Sequence, residues 1–167
     1  MNSDFKRMRH SSAKFNQDIY IIETYSGYRS QLKDPEGECI ILNLDCTDEK
    51  MGSAIMLALS ASRLVDPDDQ NFFSLEKSNE RYLGWIKDIM DKFGYKTKKS
   101  LFKKMNSCSI TQLDGMITFR PTIHEKLEGW SGDRIDEKDY VVISDTSSSA
   151  DIGAALRLAF TRCKSRV

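Results

Sequence analysis

Two stretches of this chain repeat one another, and a repeated supersecondary unit narrows the available folds more than composition does. Met51-Gly52-Ser53-Ala54-Ile55-Met56-Leu57-Ala58-Leu59-Ser60 aligns with Ile152-Gly153-Ala154-Ala155-Leu156-Arg157-Leu158-Ala159-Phe160-Thr161. Gly, Ala, Leu and Ala recur at matched positions, and most other pairs are similar in kind. Each copy follows an apolar strand and a loop containing Asp and Ser or Thr. The strand signals ahead of each helix also match, 19–25 with the hairpin at 108–119, and 39–44 with 140–143. The pattern predicts a duplicated β–β–α unit with the helices of 79–105 inserted between the copies. The fold class expected is α+β, a mostly antiparallel sheet with packed helices. Gly52 and Gly153 each weaken a helix interior by about 1 kcal/mol against Ala. Close packing of each helix on the sheet is the expected reason.

Local signals fill in the elements. Residues 19–25 and 39–44 are rich in β-branched and aromatic side chains and read as strands. The second run is nearly all apolar, which predicts burial on both faces. Asp34-Pro35-Glu36-Gly37 between them is a turn signal. Thr47 or Asp48 caps the first repeat helix, predicted to be buried all round. Residues 65–73 read as a polar loop. A helix over 79–93 carries the stripe Tyr82, Trp85, Ile86, Ile89, Met90 and Phe93, and Gly94 ends it. Thr97 caps a short helix. Asp114-Gly115 is the turn of a hairpin, and 122–138 reads as loop. Residues 1–16, with Lys6, Arg7, Arg9, Lys14 and Ser11-Ser12, show no periodicity and are expected to be a flexible N-terminal arm. Residues 17–167 are then expected to form a single domain.

Several function classes are disfavoured. The chain holds 25 basic and 25 acidic residues, a formal net charge of zero, which argues against a dedicated nucleic-acid binder. Its four cysteines form no C-x-x-C pair and it has only two histidines, so a zinc site is poorly supported. The cysteines are expected to be reduced thiols in a cytoplasmic protein. The start lacks an apolar signal-peptide core, and no apolar run approaches the roughly 18–20 residues of a membrane span. His124-Glu125-Lys126-Leu127-Glu128 places Glu where a zinc protease helix needs its second His. His124 beside Glu125 or Asp133 is a weak acid–base pairing. No nucleophile elbow or phosphate-binding loop is present. No catalytic residue, metal or cofactor is therefore expected.

Charge is segregated along the chain. Lys92, Lys96, Lys98, Lys99, Lys103 and Lys104 form a basic run with Tyr95 and Phe102 interleaved, which fits either the solvated face of a helix or a small RNA-binding adaptor. Asp34, Glu36, Glu38, Asp45, Asp48 and Glu49 form an acidic stretch, and Asp66, Asp68 and Asp69 a second. Such segregation on a neutral protein suits a charged protein partner. The contact residues expected are Asp34, Glu36, Asp66, Asp68 and Asp69, with Phe72 and Phe73 as apolar anchors.

Three blocks carry a resemblance: Leu101-Phe102-Lys103-Lys104-Met105-Asn106-Ser107-Cys108-Ser109-Ile110, then His124-Glu125-Lys126-Leu127-Glu128-Gly129-Trp130-Ser131-Gly132-Asp133, then Ile152-Gly153-Ala154-Ala155-Leu156-Arg157-Leu158-Ala159. Together with Pro121-Thr122, Gly94-Tyr95-Lys96-Thr97-Lys98 and the Met51-Gly52 helix, they resemble the CdiI family, the immunity proteins of bacterial contact-dependent growth inhibition. The resemblance spans most of the chain beyond residue 16. It implies binding and neutralisation of the C-terminal toxin domain of a cognate CdiA effector, a domain that is commonly a nuclease and often an RNase. It implies no membrane partner and no direct nucleic-acid contact. Within the most specific block, Gly129 and Gly132 are expected to set backbone shape and Trp130 to anchor the loop.

Overall fold

The computed structural model describes residues 7–167. Its centre is a seven-stranded antiparallel sheet built from β1 (Arg9–Phe15), β2 (Ile19–Gly27), β3 (Gln31–Lys33), β4 (Cys39–Asn43), β5 (Asn106–Leu113), β6 (Met116–Pro121) and β9 (Val141–Ser144). β1 pairs with β5 in the middle, His10 opposite Thr111 and Ala13 opposite Cys108. β2 and then β4 extend the β1 side, while β6 and then β9 extend the β5 side. β3 pairs with the end of β2 beyond β4.

The predicted duplication is present, with one more strand than expected. Each unit is β–β–β–α: β1, β2, β4 and helix α1 (Asp48–Ser60) in the first, and β5, β6, β9 and helix α5 (Ser149–Thr161) in the second. Equivalent positions, such as Ala13 and Ile110, Ile22 and Phe119, Ile55 and Leu156, and Ala58 and Ala159, all point into one core between the sheet and the two helices.

The strand that the sequence reading placed in a flexible arm is β1, and this expectation is corrected. Arg9–Phe15 is hydrogen-bonded on both edges, whereas residues 1–6 lie outside the described part. The polar character of β1 has a physical reason. A strand covered on both faces by close layers uses small residues, and Ser11, Ser12 and Ala13 are all buried. The Ser11 hydroxyl donates to the Glu23 carbonyl at 2.8 Å. Lys14 reaches the buried Glu23 carboxylate at 3.7 Å, and Lys33 reaches it at 2.6 Å. Burial would lower the pKa of Lys14, but Tyr25 and Glu23 beside it raise it.

The role of the two repeat glycines is also corrected. They bring helix onto helix, not helix onto sheet. A Cβ on Gly52 would overlap the Ser149 carbonyl, and a Cβ on Gly153 would overlap the Asp48 carbonyl. The contact is reciprocal, as a pseudo-two-fold axis between α1 and α5 requires. Thr47 caps α1 by accepting from the Lys50 N–H. α1 is not buried all round: Ser53 and Leu57 face solvent. β4 packs on both faces, Ile40 and Leu42 on the first core and Ile41 on the second, but only partly, because it runs along a sheet edge.

The insertion covers the opposite face of the sheet. It comprises α2 (Gln70–Phe73), inside the stretch read as loop, α3 (Leu75–Phe93) and α4 (Lys98–Phe102). Ser74 caps α3 and Gly94 ends it in the left-handed conformation at φ 75°. Thr97 and Ser100 form a reciprocal capping box at α4. Ile86, Ile89, Leu101, Phe102 and Met105 pack on Ile19 and Ile21 in a second core. Each fully buried isoleucine there contributes roughly 1.5–3 kcal/mol. The stretch 122–138, read as loop, instead supplies β7 (Ile123–Lys126), β8 (Gly129–Ser131) and a 3₁₀ turn (Glu137–Asp139). With β10 (Lys164–Ser165), β7 and β8 make a separate three-stranded sheet.

Candidate functional site

The first acidic loop folds around one buried carboxylate. Asp34 follows β3, and its side chain is 1% exposed. Its oxygens accept from Ser26 Oγ at 2.7 Å, Arg63 Nε at 2.8 Å, Arg63 Nη2 at 3.1 Å and the Glu36 N–H at 2.9 Å. Burial would raise its pKa, but the Arg63, Ser26 and Glu36 hydrogen bonds outweigh that and hold it below the ordinary carboxylate value. Asp34 therefore ties two loops together from inside, with its carboxylate buried away from solvent. Phe72 is interior too, because the Arg63 guanidinium lies 5.7 Å from its ring and Arg81 donates to its carbonyl.

The remaining expected contact residues surround this buried joint. Glu36 is exposed and reaches Arg63 at 2.9 Å. Asp66 and Asp68 are exposed, and the Asp66 carboxylate accepts from the Asp68 N–H. Asp69 is half-buried and caps α2 by accepting from the Phe72 N–H, while Phe73 packs edge-on against Phe72. A shallow cavity of about 340 Å³ opens between Glu36, Arg63, Asp69, Asn71 and Arg81. Two exposed apolar residues here carry no signal in the sequence. Tyr28 and Leu64 are 49% and 58% exposed. The chain segments that carry them are joined at Gly27, whose backbone bridges to Leu64 and whose carbonyl accepts from the Val65 N–H at 2.9 Å. Nothing local in the sequence separates the outward Leu64 from the buried Val65 beside it.

The basic run lacks the aromatic platform that nucleic-acid stacking uses. Phe102 is buried, and Tyr95 is half-buried with its hydroxyl donating to Asp18 and accepting from Asn16, both at 2.8 Å. Lys98 pairs with Glu128 at 3.8 Å. Lys99, Lys103 and Lys104 line a cavity of about 390 Å³ opposite Gln17 and Asp18.

The 124–133 block is built into the second core. His124 is buried, stacks on Trp130 with ring centroids 4.7 Å apart, and donates from Nε2 to the Leu127 carbonyl at 2.8 Å. Trp130 Nε1 donates to the Met105 carbonyl at 2.8 Å, which joins β8 to the end of the insertion. Gly129 and Gly132 have ordinary φ values and no crowding that would forbid a side chain, so the expected shaping role has no steric basis at either. Among the described residues, no cluster of His, Cys, Asp or Glu is arranged to hold a metal ion, and no helix is long and apolar enough to cross a membrane.

The residues that stood out chemically are thus engaged in structural bonds, and what the loops offer outward is shape and charge. That is the make-up of an interaction protein. Residues 9–163 match the family model described as "CDI immunity protein", and the chain belongs to that family. It is similar to the immunity protein CdiI-YPIII of Yersinia pseudotuberculosis serotype O:3 (strain YPIII), at 40% identity over 97% of this chain and 99% of the relative. Among solved structures it resembles a chain of the CdiA-CT/CdiI toxin and immunity complex from Y. pseudotuberculosis, with a TM-score of 0.88 and 40% identity over 95% of this chain and 98% of that one. It also resembles the protein of unknown function NMB0488 from Neisseria meningitidis, with a TM-score of 0.89 and 35% identity over 98% and 100% of the two chains.

Proposed function

We propose that this chain binds the C-terminal toxin domain of a cognate CdiA effector in the cytoplasm, holds it inactive and performs no chemistry itself. The toxin is a nuclease, with an RNase favoured. The contact surface is the end of the molecule where the β2–β3 turn meets the 63–73 stretch. Tyr28 and Leu64 are the anchors there, with Glu36, Asp66, Asp68 and Asp69 around them. The observation that carries the reading is the exposure of these apolar side chains on segments that also carry exposed carboxylates, in a protein of zero net charge. A nuclease cleft is basic because it binds phosphates. Carboxylates opposite such a cleft raise the association rate and reject partners of the wrong charge, while buried aromatic and aliphatic anchors supply affinity.

The test is co-expression with the toxin domain of the adjacent effector gene. A stable complex that lacks RNase activity, and regains it once this chain is denatured and removed, supports the proposal. Cells killed despite co-expression, with no complex formed, would overturn it. A complex whose released toxin degrades something other than RNA would leave neutralisation standing and replace the assigned toxin activity.

A further inference from the structure

Cys108 and Cys163 meet across the first core. Cys108 lies on the central strand β5 and is fully buried. Cys163 follows α5 and is half-buried. Their sulfurs are 3.7 Å apart. Cys163 Sγ also lies 3.6 Å from the Ser107 carbonyl and 3.7 Å from the Ala159 carbonyl. The other two thiols are placed differently: Cys39 contacts the Glu23 carboxylate at 3.6 Å, and Cys46 lies 3.6 Å from an Arg157 nitrogen.

We infer that Cys108 and Cys163 are a disulfide-forming pair, a modification site that reacts with low-molecular-weight disulfides of the glutathione type. A protein disulfide needs sulfurs about 2.05 Å apart. The pair therefore has to close by somewhat under 2 Å. The two thiols also differ in role. The hydrogen bond from Cys108 lowers the pKa of Cys163 against the opposing effect of burial, whereas burial pushes Cys108 well up. Burial and the Glu23 carboxylate push Cys39 up to about 11, so it competes poorly as a thiolate.

The Cys163 thiolate attacks one sulfur of the small disulfide, and the expelled thiolate takes a proton from water. The Cys108 thiol then attacks Cys163 Sγ, and its proton passes to the second small thiolate as that group leaves. Two protein thiols are oxidised by two electrons, and one small disulfide is reduced to two thiols. The new bond ties the end of α5 to the central strand. It also pins the start of β10, whose backbone is held by Lys164 donating to Thr122 and Arg166 donating to His124.

The test uses the purified, fully reduced chain incubated with oxidised glutathione, followed by thiol counting and non-reducing peptide mapping. The expected result is loss of two of the four thiols and a linked Cys108–Cys163 peptide. A chain carrying both Cys39→Ser and Cys46→Ser should behave the same way, and Cys163→Ser should abolish the link. Cys108→Ala should trap glutathione on Cys163. If that variant does not fold, the chain lacking Cys39 and Cys46 still decides the question. Retention of all four thiols, a lasting mixed disulfide in the wild-type chain, or a link through Cys39 or Cys46 would each overturn the inference.

Discussion

Gly→Ala substitution in a helix interior usually stabilises a protein, and Gly153→Ala should do the opposite here. Helix propensity favours Ala by about 1 kcal/mol. The new Cβ, however, would overlap the Asp48 carbonyl oxygen and stand 2.9 Å from the Asp48 Cα, where carbon atoms pack at about 3.5–4.0 Å. The neighbour is backbone at the first residue of α1, so relief requires α1 and α5 to part. Parting them loosens Ile55, Leu59, Leu156 and Phe160 beneath. Overpacking of this kind costs about 1–3 kcal/mol, and a backbone obstacle places it at the upper end. The net expectation is about 2 kcal/mol of destabilisation, or a Tm lower by roughly 4–8 °C for a chain of this length. Gly52→Ala should cost about the same, because its Cβ would meet Ser149 in the mirrored geometry. The double variant should cost clearly less than the sum, since helices already parted for one methyl accommodate the other. Gly84→Ala in α3, with no atom within 4 Å of its Cβ, is the control and should stabilise by about 0.4–1 kcal/mol. Denaturant midpoints at unchanged m-value measure all four. A stabilised Gly153→Ala protein, or full additivity in the double variant, would refute the reciprocal-contact reasoning.

Asp34→Asn should destabilise by about 1–3 kcal/mol through loss of charge-assisted hydrogen bonds. Because the folded protein holds Asp34 below its unfolded value of 3.8, its contribution is complete above that pH and is lost as pH falls through the lower folded value. The gap between wild type and Asp34→Asn in denaturant midpoint should therefore shrink under acid, and a gap constant down to pH 2 would contradict the assignment. Trp130→Ala should cost about 3 kcal/mol, as it removes the His124 stack and the bond to Met105. A Trp130→Ala protein that stays fully stable yet loses toxin binding would make Trp130 a contact residue instead. Tyr28→Ala with Leu64→Ser should leave stability within about 0.5 kcal/mol, yet weaken toxin binding by about 30-fold or more, the loss of one hot spot. Calorimetric titration reads that affinity, and unchanged binding would relocate the surface.

What the sequence alone determined here is whatever depends on neighbours along the chain. The helix caps Thr47 and Thr97, the left-handed stop at Gly94, the Asp114-Gly115 hairpin and the α3 stripe are local physics, and the fold keeps each of them except Tyr82 of the stripe, which stays exposed. The duplication was legible because two buried helices with a shared packing problem retained the same small and large residues. Tertiary structure decided the rest. β1 looked like a solvated tail because its Ser11 and Lys14 are satisfied by Glu23, which lies on another strand. Gly52 and Gly153 announced a close approach, but only the pairing of α1 with α5 shows what approaches. Asp34 and Phe72 shared the composition of an outer loop, and Arg63, far along the chain from Asp34, holds that carboxylate and lies over the Phe72 ring. Burial of a polar side chain depends on which distant group meets it, and that partner is selected by the fold as a whole.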